Sequence, residues 1–485
     1  MFFRCFFCTV RLSIFERFVF PKGSKFNRLV WDSLEIWKCG LYIVFIGVYS
    51  NIMKIGLVMN VKLLKNLAFL GLLSFSVFPS FALSKIIPDG TIPYNMGVQL
   101  KGDTDGPEDL DRVQELGMKW VRRGFIWESI EREKGVYDFS QYDRFVNDCE
   151  KRGLKIIGCM AFSNKLYGHV KDEPARSAYA DFAAELVKHY KGRNIIWEIW
   201  NEPNTMTFWG RHGKVGNSPQ YAREYTDLVR AAVPAMKKAN PDCVILAGSV
   251  SNMWSESYKW MSYCFADGML DIHWDIWSVH PYGVKAPEDY MEAYSHTRNL
   301  MKKAGGDTGR LWINSERGFP LGKAEGYAGG DPSLAYEYQA WHVIRQYLVD
   351  LLEGLPVTIW YEWGGKEGFA LYRAGNMTPA YNACKTFVKE LSGYKLDYRM
   401  KTENKRDFVL RFIDKNGNEK LVAWTAPGVM ESPDKIVPHS IKIAVGDVSP
   451  RLVTTDLYGR TDIVEVSNGV IEPRLTGAPV YITLR

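Results

Sequence analysis

The chain has too little cysteine, too poorly spaced, to be held together by disulfides. Of its eight cysteines, Cys5, Cys8 and Cys39 precede residue 83, and the remaining Cys149, Cys159, Cys243, Cys264 and Cys384 are odd in number and far apart. That pattern argues against a disulfide framework or a cysteine zinc site and for buried thiols in a core large enough to do without either. The histidines include no His-Glu-x-x-His run, the pairs Gly305-Gly306 and Gly329-Gly330 are not followed by Lys-Ser/Thr, and no Gly-x-Ser-x-Gly occurs. These absences remove the metalloprotease helix, the phosphate loop and the serine hydrolase elbow from consideration.

An excess of one charge is missing too, once the leader is set apart. Lys and Arg total 61 against 55 Asp and Glu, but ten of the basic and three of the acidic residues fall in 1–82, leaving 51 against 52 beyond it. So balanced a body does not point to nucleic acid. Within the leader, "MNVKLLKNLAFLGLLSFSVFPSFALS" places Lys62 and Lys65 before an apolar run from Leu67 to Phe81 and ends on Ser80-Phe81-Ala82. The run is short for a membrane span, and a charged start, an apolar middle and small residues before a cut make a secretory signal peptide over 59–82, cleaved after Ala82. No cysteine follows it, so the lipid-anchored pattern is absent. The expectation is an exported protein, periplasmic or secreted, with no membrane anchor in its mature form. Residues 1–58 read as an upstream extension, either beyond the true start near Met53 or Met59 or a real anchoring segment that uses "LYIVFIGVYS".

What is present is a rhythm. With 485 residues, 46% hydrophobic and 24% charged, the chain has material for one large domain and a smaller one. Short β-rich runs, "NMGVQL", "KWVRRGF", "KIIGCMAF", "IIWEIW", "CVILAGS", "DIWSVHP", "LWINSE" and "PVTIWYEW", alternate with amphipathic stretches such as Gln141–Arg152, Arg176–His189, Pro219–Lys238 and Leu334–Leu352. Eight such βα units close a barrel. From about Leu396 the helical period stops, and short alternating strands with turns at "KNGN" and "SNG" take over. The expected architecture is a (β/α)8 barrel over 83–394 and a small β-sandwich over 395–485.

Catalytic groups of such a barrel sit at the carboxyl ends of its strands. There strand two delivers Arg122, Arg123 and Trp127; strand four Asn201 and Glu202; strand six His280 and Tyr282; strand seven Glu316; strand eight Trp360, Glu362 and Trp363. Two glutamates facing each other across a mouth lined with rings and donors suit glycosidic bond cleavage, which needs an acid for the leaving oxygen and a carboxylate for the developing cation. Each residue also has a structural reading. Glu202 would cap the next helix, Glu316 would pair with Arg317, Arg122 would brace strands with Arg123 as the inward residue, and His280 and Tyr282 would be a core pair. Trp127, Trp209, Trp254 and Trp360 would fill the barrel's layers. Glu362 stands as a competing nucleophile.

The sequence resembles the clan A glycoside hydrolases, and most of all family 39 and related exopolysaccharide-cleaving enzymes. "WEIWNEPNTMTFW", Trp197 to Trp209, is similar to the strand-four signature of that family. The likeness implies that Glu202 is the acid/base and that Asn201 binds the sugar 2-hydroxyl. "LGMKWVRRGFIWESIEREKGVYDFSQYD", "SVHPYG" and "LWINSERGFP" resemble the strand-two, strand-six and nucleophile segments. They imply Arg122 beside the nucleophile, His280 and Tyr282 in the site, and Glu316 as the nucleophile. Trp127, Trp209 and Trp360 are the expected sugar-contacting rings. The "RGFP" that follows Glu316 departs from the polar and aromatic residues usual in family 39 xylosidases.

Together these readings imply a retaining double displacement that cleaves O-glycosidic bonds, expected to be β-linked, in a polysaccharide or oligosaccharide, with no metal or organic cofactor. A carbohydrate-binding protein that lost turnover, and a transglycosylase with the same covalent intermediate, are the other two functions compatible with these residues.

Overall fold

The computed structural model describes residues 86–210, 218–283, 285–306, 309–365, 368–373 and 375–485. The signal-peptide segment and the extension before it lie outside the described residues. Among the described residues no helix is long and apolar enough to cross a membrane.

Eight parallel strands close into a barrel in sequence order: β1 Met96–Gln99, β2 Trp120–Ile126, β3 Lys155–Ala161, β4 Ile195–Ile199, β5 Val244–Ser251, β6 Ile276–His280, β7 Leu311–Arg317 and β8 Thr358–Trp360. Closure is made by β1 against β8, with Gly97 opposite Ile359. The helices α1 Pro107–Glu115, α2 Ser140–Lys151, α3 Ala175–His189, α4 Pro219–Ala239, α5 Ser255–Ala266, α6 Tyr290–Lys303, α7 Pro332–Leu352 and α8 Pro379–Leu391 surround it. Three of them begin in one way: Ser218, Asp331 and Thr378 each accept a backbone N–H of the first turn, with proline next in the chain. A short polar cap and a ring that presets φ define those starts.

Strands buried on both faces read as near-continuous apolar runs, and β4, "IIWEI", is wholly buried. The period of two still sorts them. Trp120, Ile157, Ile196, Leu246, Ile276, Ile313 and Ile359 pack together from seven strands as an apolar plug in the barrel's interior. Two residues further along the same strands the interior turns polar, with Arg122, Glu198, Ser278 and Ser315 all buried. The site is assembled on that second layer.

Beyond α8 the chain enters a six-stranded antiparallel sheet of Tyr394–Arg399, Asp407–Asp414, Glu419–Thr425, Val480–Thr483, Arg451–Thr455 and Thr461–Glu465, in that spatial order. Two short ribbons, His439–Ser440 with Arg474–Leu475 and Ile443–Ala444 with Val470–Ile471, cover one face of it. Val409, Leu421, Ala423, Ile443, Leu452, Ile471, Leu475 and Ile482 form the small core between. This is the β-sandwich read from the alternating pattern.

The sandwich is joined to the barrel by buried charge. Glu288, after β6, is held by Arg345 of α7, and its Oε1 also accepts the indole N–H of Trp424 from the sandwich at 2.7 Å. Beside it Asp289 accepts from Arg406 at 3.2 Å and from the Met430 amide at 3.1 Å.

Where β7 and β8 end, the backbones nearly touch. A Cβ at Gly318 would fall 1.9 Å from the Tyr361 carbonyl oxygen. Gly318→Ala is therefore expected to push these strand ends apart at a cost of at least about 1–3 kcal/mol. Thermal unfolding of the variant checks this, and an unchanged Tm would show that the contact is relieved elsewhere.

Candidate active site

Arg122 of β2 is the centre of the polar layer, and only 3% exposed. It donates through Nε to Glu198 Oε2 (2.6 Å), through Nη1 to Gln99 Oε1 (2.8 Å) and Glu316 Oε2 (2.6 Å), and through Nη2 to Asn201 Oδ1 (2.7 Å). A rigid planar fork thus sets groups from β1, β4 and β7 relative to one another. Glu316 receives a second donor, the Tyr282 hydroxyl, at 3.2 Å on its other oxygen. Glu202 faces His280, whose Nδ1 is 3.1 Å from Oε1, and the other ring nitrogen is 2.9 Å from Ser315 Oγ. One oxygen of each of Glu202 and Glu316 and a nitrogen of His280 lie within 4.8 Å of one another.

The electrostatics follow from burial and pairing. Burial works against the charged form of Glu198, but Arg122, then His280 and Ser315, overcome it and hold its carboxyl down at about 2. Burial also works against a charged His280, yet Glu316, Glu198 and Glu202 raise the imidazole to about 9. Glu316 is pushed above the usual carboxylate range by burial; His280 and Arg122 pull it back, while Glu202 and Glu198 push the same way as burial.

Strain gathers at the same end of the barrel. Trp200, Glu202, Ser249 and Asn252 have φ of 68°, 47°, 50° and 60°. Left-handed backbone at side chains other than glycine costs about 1–3 kcal/mol each and is kept where the surroundings enforce it. Here it aims the ends of β4 and β5 into the mouth.

Two carboxylates and an imidazole this close form a set that a divalent cation would also fit by distance. The chemistry of the donors does not suit one. A guanidinium already occupies Glu316, both ring nitrogens of His280 have partners, and a ligating imidazole must be neutral whereas this one is held cationic.

Of the residues expected from the sequence, Arg122, Asn201, Glu202, His280, Tyr282 and Glu316 meet in this cluster. Trp127, Trp209 and Trp360 do not, and the expectation that they stack on sugar is corrected: all three are wholly enclosed. Ile359 points into the barrel, so Trp360 beside it faces outward, towards His342 of α7, and its indole N–H bonds the Phe369 carbonyl at 3.0 Å. Trp127 stacks between Tyr167 and Phe182 and bonds Glu131, and Trp209 packs on Trp200 and bonds Glu224. The rings that reach the mouth are Tyr361, half-buried under Lys101, and Trp254, which is 50% exposed beyond β5.

Several alternatives are settled by partners. Arg123 turns to Asp105 (2.6 Å) and the Tyr142 ring, leaving Arg122 as the inward arginine. Glu362 is buried against Lys101 at 2.7 Å and stands apart from the Glu202, His280 and Glu316 cluster. Gln99, Glu198, Ser249 and Ser315 belong to the site and were not singled out from the sequence. For Glu198 a signal existed, since it lies two residues after the interior Ile196 in a run otherwise apolar.

Residues 95–306 match the model of the Cellulase family, glycosyl hydrolase family 5. An endo-1,4-beta-xylanase of Agaricus bisporus is 26% identical over 183 residues, 34% of this chain and 54% of the relative. A beta-1,4-xylanase of Dictyoglomus thermophilum is 33% identical over 81 residues, 16% of this chain and 23% of the relative. The chain thus spans about half, or less, of the length of these curated relatives. Among solved structures, a family 39 glycoside hydrolase from Bacteroides cellulosilyticus WH2 superposes with a TM-score of 0.64 at 21% identity, covering 82% of each chain. A monomeric beta-xylosidase from Caulobacter crescentus CB15 does so at 0.58 and 14%, covering 82% of this chain and 98% of that one. The matched segment is thus similar to the glycosyl hydrolase family 5 model, and the fold is one shared with these glycoside hydrolase structures. Family 39 structures are among its structural neighbours.

Proposed function

We propose that this protein cleaves β-linked glycosidic bonds in a polysaccharide or its oligosaccharides with net retention, Glu316 acting as nucleophile and Glu202 as acid/base. The observation that carries the reading is the pairing of these two carboxyls, from the ends of β7 and β4, with oxygens within 4.8 Å. Retaining enzymes place them about 5–5.5 Å apart, whereas inverting enzymes leave room for a water at about 6.5–9.5 Å.

The charges of the cluster suit that division of labour. Two cations, Arg122 and His280, face three carboxyls, so a neutral site keeps one proton on an acid. Glu198 is held strongly ionised, and Glu316 touches a guanidinium and a phenol, the donors that suit a nucleophilic carboxylate; the acid role proposed for Glu202 assigns the proton to it. Glu316 attacks the anomeric carbon as the bond to the leaving oxygen breaks, and that oxygen takes the proton from Glu202. In the second step Glu202, now ionised, draws a proton from water, whose oxygen displaces Glu316. Asn201, its amide oxygen held by Arg122, supplies N–H donors to the sugar 2-hydroxyl.

Export through the leader, division at 394/395 into a catalytic barrel and an accessory sandwich, and a polysaccharide as partner complete the proposal. It is tested by incubating the purified protein with a panel of β-linked polysaccharides and aryl glycosides and following product size and anomeric configuration. Inverted products, or no cleavage of any member, would sink it; longer transfer products at high sugar concentration would mark transglycosylation. Trp254 lies against Gly283, next to Tyr282, and the Met253 amide bonds the Tyr282 carbonyl at 2.9 Å. Trp254→Ala is expected to raise KM for oligosaccharides about 5–50-fold by loss of a stacking surface, with little change for aryl glycosides. Steady-state kinetics on both substrates check it.

A further inference from the structure

The site holds a third carboxylate that touches no substrate in the mechanism above. Glu198 is fully buried on β4, four residues before Glu202. Its Oε2 binds Arg122 Nε at 2.6 Å, and its Oε1 accepts from Ser249 Oγ at 2.7 Å and from Ser315 Oγ at 2.6 Å. Four strands therefore meet on one side chain. A charge so deeply buried is stabilised only by full pairing, and an apolar residue would fill the same space without that demand.

We infer that Glu198 is a positioning residue for the reaction: as an acceptor-only anion it fixes the direction of the Ser315–His280–Glu202 hydrogen-bond chain and thereby keeps the acid proton on the cleft side of Glu202. The inference rests on the proposed glycosidase reading and extends it. With its one hydroxyl hydrogen given to the anionic Glu198, Ser315 accepts from its other two partners, Ser278 Oγ and His280, so Nε2 of the imidazole carries a hydrogen. The negative charge of Glu198, its Oε1 3.7 Å from that nitrogen, then favours a hydrogen on Nδ1 as well. Nδ1–H donates to Glu202 Oε1, and the acid proton of Glu202 is left on Oε2, the oxygen without a histidine bond. Were His280 neutral, Nδ1 would accept that proton, and Glu202 would point it at the ring instead of at a leaving oxygen.

Other ionisable groups around Glu198 leave this balance in place. Arg122 from β2 and Glu316 from β7 form their own pair, and the Cys159 thiol from β3 is raised well above its usual range by burial and by Glu198. The Tyr179 and Tyr225 phenols of α3 and α4 are likewise raised by burial and remain neutral.

The test is the pH profile of kcat/KM for Glu198→Gln and Glu198→Asp, with folding followed by circular dichroism. Removing one negative charge makes His280, Glu202 and Glu316 all lose protons more easily. Both limbs of the Gln variant are therefore expected to move to lower pH by about one to two units. The Asp variant keeps the charge and should keep the limbs near the wild-type positions whatever its rate. Limbs that stay put in the Gln variant, or that move equally in both, overturn the inference and show a bracing role only. If the Gln variant does not fold, imidazole nitrogen resonances of His280 in the wild-type protein decide: protonation at both nitrogens at pH 7.5 supports the inference, and a neutral ring overturns it. That spectrum requires no turnover, so inactivity on the whole glycan panel would count against the proposed function and leave this reading separately testable.

Discussion

Glu316→Gln is expected to lower kcat by about 10⁴-fold or more, while leaving the protein folded and substrate affinity within a few fold. Gln preserves shape and still offers Arg122 a carbonyl acceptor, so the 2.6 Å contact and the Tyr282 bond have a neutral counterpart. What it lacks is the electron pair and charge needed to bond the anomeric carbon. The first step fails outright, and no burst of leaving group appears with activated aryl glycosides. Binding persists because Asn201 and the rings at the mouth are untouched. A variant that kept a tenth of wild-type activity would place the nucleophile elsewhere. Among the acids delivered by β8, Glu362 is tied to Lys101 at 2.7 Å, which makes it a poor substitute.

The second large effect is selective. Glu202→Gln should lower kcat/KM for natural glycans by about 10²–10⁴-fold, the usual contribution of a proton donor. The loss should shrink to tenfold or less for dinitrophenyl glycosides, whose leaving oxygen needs no proton. With those substrates the first step outruns the second, because no base activates the water, and a glycosyl-enzyme accumulates. Mass spectrometry of the quenched variant would show the added sugar on Glu316. Equal losses across leaving groups would refute the assignment. Small anions such as azide offer a further readout, since they attack without a base and should restore turnover with retained configuration.

Much of this site was legible because barrels present chemistry at strand ends, and the ends are marked by punctuation. Asn201-Glu202-Pro203, His280-Pro281-Tyr282 and Glu316-Arg317-Gly318 each break an apolar run with polar residues and a turn former. What failed was the assignment of rings. An aromatic near a strand end faces either the mouth or the helices, and one position of register decides which. Trp360 and Tyr361 are adjacent, and only the contact of Ile359 with the interior plug shows that the tyrosine is the inward one. The polar layer was missed for a related reason. A lone Glu198 inside "IIWEIW" looks like an interruption until its arginine, two serines and histidine arrive from four other strands, and sequence distance conceals all of them.

The bond from Trp424 to Glu288 changes what the smaller lobe is to the larger. Glu288 is an anion enclosed between Arg345 and an indole contributed from more than a hundred residues downstream, and its neighbour Asp289 depends on Arg406 from the same lobe. Without the sandwich, α7 would carry an arginine facing a carboxylate newly opened to water, on the helix that also supports β7 through Gln346 and the Arg317 carbonyl. The lobe is thus less an appendage than a keystone. The barrel's own sequence leaves a charged joint unfinished, and evolution can exchange or discard the sandwich only by rewriting that joint at the same time.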